Sequence, residues 1–262
     1  MDWKNQYEQL LLNKEVSMKE VQKFVKIHRP QYLYKYGSFQ SKYWKDVVLK
    51  GHAYLSPANT FNDPFDCKIY FDPVAAKNMK GSKYKEVLRK FYTDDAIEFS
   101  STEEIHEKIV EGLREDIFVF CFSETWDSLL MWAHYANSYN GFCIEYEVGE
   151  INENVKEHMY PAIYRREYID STEAIAYTQE HAGFIVTLAK AEEWQYEREW
   201  RIVKFEKANI YLRRTIKAIH IGMKCSNEIR QELIKWAKEK QKELYLIKPA
   251  RDRYALERER IV

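Results

Sequence analysis

Residues 117–122, Ile-Phe-Val-Phe-Cys-Phe, form a run without a charged side chain. The run has the length of a strand, and a strand without polar positions is typical of the buried centre of a sheet. Segments that alternate polar and apolar residues lie before and after it, at 31–36 and 215–221. Helix-favouring stretches separate the predicted strands. The sequence therefore predicts one α+β domain over residues 1–262, with a mixed, mostly antiparallel central sheet flanked by helices.

Two helical segments are expected to lie outside the sheet. In the first, residues 1–30, Ser17 and Glu20 have the spacing of a capping box that begins a helix. The second is a charged helical insertion near 75–115. Two further helices are predicted at 126–137 and 172–193, and a further strand at 196–205.

Composition excludes several classes of protein. The chain has 41 acidic and 41 basic residues, which argues against binding duplex nucleic acid by net charge alone. Its four cysteines never form a Cys-x-x-Cys pair, so neither a disulfide framework nor a structural metal site is expected. The sequence shows no apolar leader and no apolar run long enough to cross a membrane. We therefore expect a cytoplasmic protein with no membrane partner.

The segment 194–201, Trp-Gln-Tyr-Glu-Arg-Glu-Trp-Arg, combines charge and aromatic rings. In a strand, alternate side chains share a face, which would place Glu197, Glu199 and Arg201 together. Three ionisable groups on one face are costly to bury unless they pair with each other or with a ligand. Two interpretations stay open at this stage: an internal ion pair or solvated sheet face, and one wall of a binding site.

Polar residues of the loop 59–66 are a second candidate feature. Asn62 and Asp63 precede a proline, and Phe61 and Phe65 bracket them. One interpretation is a turn held in place by its aromatic residues, because short polar side chains bond to their own backbone in turns. The other places Asn62 and Asp63 at the rim of a pocket.

The predicted helix at 126–137 carries His134 and Tyr135. His134 is interpreted either as a hydrogen-bonded core histidine or as a group that transfers a proton. Ser123, at the end of the apolar strand, is placed to reach a ligand, whereas Cys121 within that strand is expected to be inert. The chain contains neither a Walker loop nor a Gly-x-Gly-x-x-Gly motif.

Six segments together resemble a bacterial family of domains of unknown function, number 2971, over about residues 31–225. They are Tyr34-Lys-Tyr36, Phe61-Asn-Asp-Pro-Phe-Asp66, Cys121-Phe-Ser123, Met131-Trp-Ala-His-Tyr-Ala136, Gly141-Phe-Cys-Ile144 and Trp194-Gln-Tyr-Glu-Arg-Glu-Trp-Arg201. The family name supplies no activity.

More distantly, the chain resembles the ADP-ribosyltransferase superfamily. The resemblance implies that fold, NAD as substrate, and a toxin or phage-defence setting. It places Tyr34 or Tyr36 in the first-strand motif, the segment from His134 to Gly141 in the middle motif, and Glu199 at the catalytic position, similar to the Glu-x-Glu of arginine-modifying members. The first-strand motif of this chain lacks the Arg or His of that superfamily.

The resemblance also implies roles for individual residues. Glu199 would bond the ribose 2′-hydroxyl and stabilise an oxocarbenium-like transition state, and Glu197 would position or deprotonate the acceptor. Arg201 would hold Glu199 ionised or bind pyrophosphate. The candidate catalytic residues are thus Glu199, Glu197 and His134, and the candidate residues for binding NAD are Tyr34, Tyr36, Asn62, Asp63, Ser123, Tyr135 and Arg201.

Two alternatives to this enzyme remain open. One is a non-catalytic module that binds a nucleotide-type small molecule or a partner protein, with a structural Glu–Arg cluster. The other is a metal-dependent nuclease in which Asp63, Asp66, Glu197 and Glu199 converge on one ion. The acceptor, protein or nucleic acid, and the oligomeric state are left open.

Overall fold

A nine-stranded sheet forms the centre of the computed structural model, which describes residues 2–13, 15–93, 100–177 and 179–262. Its strands are β1 (Tyr32–Ser38), β3 (Ser56–Pro57), β4 (Phe118–Ser123), β5 (Gly141–Glu147), β6 (Met159–Pro161), β9 (Glu199–Lys204), β11 (Ile216–Ile221), β12 (Glu243–Pro249) and β13 (Leu256–Arg260). Two ribbons accompany it, formed by β2 (His52–Tyr54) with β10 (Asn209–Tyr211) and by β7 (Ile163–Arg165) with β8 (Ala189–Ala191).

The order across the main sheet is β13-β12-β11-β5-β1-β4-β9-β6, with β3 also paired to β4. The pair β11–β12 is parallel, and the other neighbours in this sheet are antiparallel. The predicted mixed, mostly antiparallel sheet of an α+β protein is therefore confirmed. The apolar run is its strand β4, and Val119, Phe120 and Phe122 are buried there.

Helices lie around this sheet. They span Trp3–Leu12, Met18–Lys26, Trp44–Lys50, Pro73–Asn78, Tyr84–Phe91, Thr102–Glu115, Leu129–His134, Glu153–Lys156, Thr172–Tyr177, Gln179–Leu188 and Asn227–Lys240. The predicted capping box is present, because the Ser17 hydroxyl accepts from the Glu20 N–H and the Glu20 carboxylate accepts from the Ser17 N–H. In the insertion, helices occur on both sides of residues 94–99, which lie outside the described ranges. None of the helices in the described ranges is long and apolar enough to span a membrane.

Three predicted elements have different bounds. The helix expected at 126–137 ends at His134, and the residues from Asn137 to Tyr139 all have positive φ, which a helix cannot accommodate. The helix expected at 172–193 ends at Leu188, and a 3-10 turn, Glu192–Glu197, follows β8. The strand expected at 196–205 begins only at Glu199, because Arg198 adopts a left-handed conformation with φ 46°.

The two faces of the sheet are packed differently. The larger apolar core lies on the face that includes Leu33 and Ile144, whereas a smaller aromatic cluster on the other face includes Tyr34, Tyr36 and Trp132. Strands β1 and β4 share a single paired position, Tyr34 with Ser123. The sheet is therefore least continuous between β1 and β4, and their one paired position lies on the face that carries the aromatic cluster.

Candidate functional site

A pocket of about 170 Å³ lies beside the single paired position of β1 and β4, Tyr34 with Ser123. An apolar cavity of about 150 Å³ holds one benzene molecule, so this pocket has room for one six-membered ring and not for a whole dinucleotide. Its apolar lining comes from Tyr34, Tyr36, Phe61, Phe122, Met131 and Tyr135, and its polar lining from Lys35, Asn62, Asp66, Ser123, Lys190, Glu197 and Glu199, with Cys121 between them.

Among the polar residues that line the pocket, Lys190 lies at the centre of a buried ion network. Its ammonium Nζ is 2.5 Å from Glu197 Oε2 and 2.9 Å from Glu199 Oε2. A third carboxylate oxygen, Asp66 Oδ2, is 3.4 Å away. Burial is the largest influence and lowers the pKa of the Lys190 ammonium, but the neighbouring carboxylates, Glu199 first among them, together raise it above its usual value. Lys190 therefore stays positively charged inside the protein.

Arg201 is the second cation of this network, and it does not line the pocket. Its Nη2 donates to both oxygens of Asp66 at 2.9 Å and to Glu199 Oε2 at 2.8 Å, and its Nη1 donates to the Thr187 carbonyl. The side chain is fully buried, with 0% exposed. Arg201 is therefore inaccessible to a pyrophosphate group. Of the two roles predicted for it, the geometry supports holding Glu199 ionised.

Sheet register and one turn bring these side chains together. Ser123 and Cys121 of β4 lie opposite Glu199 and Arg201 of β9, so all four share one face. Glu197 ends the 3-10 turn before the strand, the left-handed Arg198 separates it from the strand, and the Glu197 carboxylate lies beside Lys190. The turn is tied to β4, because the Ser123 hydroxyl donates to the Glu197 carbonyl at 2.6 Å.

The two glutamates have opposite electrostatic environments. Burial alone would raise the pKa of Glu199, but Arg201 and then Lys190 lower it well below its usual value. For Glu197, burial and the charge of Glu199 raise the pKa above its usual value despite the contact with Lys190. The network combines three carboxylates with two cations, so a proton taken up by it goes to Glu197 while Glu199 stays ionised. Carboxylates with such divergent pKa values are the usual pattern of acid–base pairs.

Two tyrosines are fixed donors at the pocket. The Tyr135 hydroxyl donates to Glu197 Oε1 at 2.6 Å. The Tyr36 hydroxyl donates to the Thr125 carbonyl at 2.9 Å, and its ring meets Trp132 edge-on at 5.5 Å. Burial raises the pKa of both phenols. Both therefore remain protonated and present apolar ring surface to the cavity.

Most of the candidate residues predicted from sequence line this one pocket. They are Tyr34, Tyr36, Asn62, Ser123, Tyr135, Glu197 and Glu199. His134 does not. It is exposed at the end of its helix, one turn after Leu130, which is 47% exposed. Its ring centre is 6.4 Å from those of Tyr135, Trp194 and Tyr196. Neither the core position nor the catalytic position expected for His134 matches this location.

Asp63 is separated from its neighbour Asn62. It lines a second cavity of about 750 Å³ that adjoins the first through Lys190. One of its oxygens, Oδ1, accepts from the Phe65 N–H at 2.9 Å, as in the turn predicted for this loop. Asn62 and Asp63 therefore do not share the single rim that the sequence suggested.

The nuclease alternative required four carboxylates to converge on one ion. Asp66, Glu197 and Glu199 instead converge on the Lys190 ammonium, which takes the position of such a cation. Among the residues that the structure describes, no group of three or more His, Cys, Asp or Glu side chains is arranged to hold a metal ion.

Sequence reasoning missed Lys190. The one available signal was a lone lysine in the apolar stretch 184–191, Phe-Ile-Val-Thr-Leu-Ala-Lys-Ala, because a cation in such a stretch needs a buried partner. Nothing local indicated which carboxylates those partners are.

Comparison with known proteins gives one match. Residues 131–202 match the family described as "Protein of unknown function (DUF2971)", which confirms the resemblance to that family. No curated protein and no solved structure matches the chain. The matched segment contains four of the five members of the ion network, Lys190, Glu197, Glu199 and Arg201, and leaves out Asp66.

Proposed function

We propose that the pocket beside β1 and β4 is the active site of an ADP-ribosyltransferase-like enzyme that breaks the bond between nicotinamide and ribose in NAD. One observation carries the proposal: two buried carboxylates with opposite pKa shifts, Glu197 and Glu199, line a cavity that has room for one aromatic ring. An ADP-ribosyltransferase-like fold is part of the same proposal.

Nicotinamide is the part of NAD that fits the pocket. Its six-membered ring matches the volume of about 170 Å³, and Tyr34, Tyr36 and Tyr135 supply aromatic surface on which it can stack. A bound ring would bring the glycosidic bond towards the ionised carboxylate of Glu199. As that bond breaks, positive charge develops on the ribose, and a fixed negative charge in a buried site stabilises it strongly.

The bond electrons leave with nicotinamide, whose ring nitrogen becomes neutral and needs no proton. An acceptor N–H or O–H then forms the new bond to the ribose carbon and loses its proton. Glu197 takes that proton, because a carboxylate with a raised pKa is the stronger base of the pair. Lys190 and Arg201 act indirectly, by keeping Glu199 charged through the reaction.

A non-catalytic nucleotide-binding module is the second candidate. It is favoured by the fact that both cations of the network are already satisfied by protein carboxylates, as in a purely structural cluster. This module would bind NAD with the same tyrosines and leave it intact.

Turnover separates the two candidates. The full chain is incubated with NAD and, in parallel, with NADH, and free nicotinamide and thermal stability are measured. The enzyme releases nicotinamide from NAD but nothing from NADH, because neutral dihydronicotinamide is a poor leaving group. A rise in melting temperature with NAD and no release, in the presence of protein and nucleic-acid acceptors, supports the binding module. If NAD causes neither a shift in melting temperature nor release of nicotinamide, both candidate functions are contradicted.

A further inference from the structure

The second cavity, of about 750 Å³, has the size of a ligand site and adjoins the first. Its lining mixes aromatic rings and cations: Phe65, Tyr168, Trp194, Lys68, Arg165 and Arg166. Phe65 and Tyr168 are 59% and 49% exposed. Exposed rings next to cations are the surface on which nucleobases stack while their phosphates meet positive charge.

The cations of this cavity differ in their availability. Arg165 and Arg166 form ion pairs with Glu8 and Glu192. The Lys68 ammonium lies 6.0 Å from the centre of the exposed Phe65 ring. Glu167 and Glu193 also line the cavity. Lys68 is therefore the side chain best placed to meet a phosphate.

Asp63 gives the cavity a specific polar feature. Only 9% of the residue is exposed, and its Oδ1 is used by the Phe65 N–H. Its other oxygen, Oδ2, is buried and has no hydrogen-bond partner within the described ranges. A buried carboxylate oxygen without a donor is costly, so a ligand that supplies an N–H at this point gains binding energy.

We propose that this cavity binds a nucleotide whose base carries an exocyclic amino group, with that group donating to Asp63 Oδ2. The base stacks against Trp194, and Lys68 meets the phosphate. This site does not need the proposed reaction, since it can bind without turnover. The nucleotide is either the adenosine half of NAD, reaching across from the first pocket, or a separate molecule.

The test compares two ligands that differ only by the amino group, AMP and purine riboside 5′-monophosphate, by calorimetry on the full chain. The wild type binds AMP about tenfold or more tightly, the expected worth of a hydrogen bond to a charged group. In Asp63→Asn, the amide NH₂ replaces Oδ2 and the ratio falls to about one. If Asp63 only stabilised its turn, both ligands would weaken together and the ratio would persist, which overturns the proposal.

A second variant keeps the test decisive if Asp63→Asn does not fold. Trp194→Leu weakens both ligands by about tenfold, since stacking on an aromatic ring serves every base, whereas Tyr211→Leu, an exposed ring outside the cavity, changes neither. Equal affinities in the wild type, or no AMP binding at millimolar concentration, contradict the proposal.

Competition with NADH, which the proposed enzyme leaves intact, identifies the source of the nucleotide. AMP that is displaced by NADH indicates the adenosine half, and AMP that binds to the NADH-saturated protein indicates a separate nucleotide. These are binding measurements. They therefore hold or fail independently of nicotinamide release.

Discussion

At the scale of single residues, the site depends on Lys190. Its ammonium contacts all three carboxylates of the ion network, Asp66, Glu197 and Glu199. Because Glu199 also contacts Arg201 and Glu197 does not, the two glutamates differ in pKa although they lie two positions apart in the chain. Long-range pairing with Arg201 therefore helps to shift the pKa values of the two glutamates in opposite directions.

Replacing Lys190 tests how strongly the network is coupled. Lys190→Met removes the cation that pairs with Glu197 and leaves Asp66 and Glu199 to share Arg201, and we expect a loss of about 3–5 kcal/mol in the free energy of unfolding. Denaturant unfolding measures this. The matched control is Lys45→Met, which removes an exposed ion pair with Glu232 and should cost at most about 1 kcal/mol. Equal losses in both variants contradict the account.

Tyr135 tests the assignment of Glu197 as the base. Burial raises the pKa of Glu197 most, and the hydrogen bond from Tyr135 lowers it. A base works when ionised, so activity is lost as the pH falls through its pKa. Tyr135→Phe removes a bond to the ionised form and raises that pKa further. The acid limb of kcat/KM for nicotinamide release should therefore move to higher pH, whereas Tyr211→Phe leaves it in place. An unmoved limb in Tyr135→Phe refutes the assignment.

At the scale of elements, the sequence predicted which side chains of β9 share a face, but it did not predict the residue at which β9 begins. The period of two correctly placed Glu199 with Arg201 on one face and Trp200 with Ile202 on the other. It placed Glu197 in the same strand, although Glu197 ends a 3-10 turn. Arg198 has a positive φ. A glycine in the sequence would have indicated such a conformation, whereas an arginine does not. The tertiary bonds that hold the turn come from β4.

The left-handed turn at Arg198 gives an element-scale prediction. A β-branched side chain is strained in this conformation, so Arg198→Val should lower stability by about 1–2 kcal/mol and also reduce activity by displacing Glu197. Arg198→Gly should retain activity. Gln241 has a similar φ of 52° at a helix end outside the pocket, so Gln241→Val should lose stability alone. Unfolding and nicotinamide-release assays on the three variants measure both effects. Full activity in Arg198→Val would show that the turn does not position Glu197.

At the scale of the whole molecule, the sheet type followed from local patterns, whereas the site required distant parts of the chain. The pattern of apolar residues along each strand indicates how that strand is buried, so a mixed, mostly antiparallel sheet could be predicted. The ion network joins Asp66 to Arg201, 135 positions apart, and no local pattern encodes such a pairing. The opening between β1 and β4, where only Tyr34 and Ser123 pair, is likewise a property of the assembled sheet.

The rate of nicotinamide release by Glu199→Gln shows whether the Glu199 carboxylate takes part in cleaving NAD. The substitution leaves two carboxylates, Asp66 and Glu197, facing two cations, so Lys190 and Arg201 each keep a carboxylate partner, and thermal unfolding verifies the fold. Glu197→Gln is the second variant if the first is unstable, and exposed Glu206→Gln is the control. We expect the wild type and Glu206→Gln to release nicotinamide from NAD at similar rates, and Glu199→Gln to be slower by about a hundredfold or more. Release by a folded Glu199→Gln at the wild-type rate would contradict this expectation.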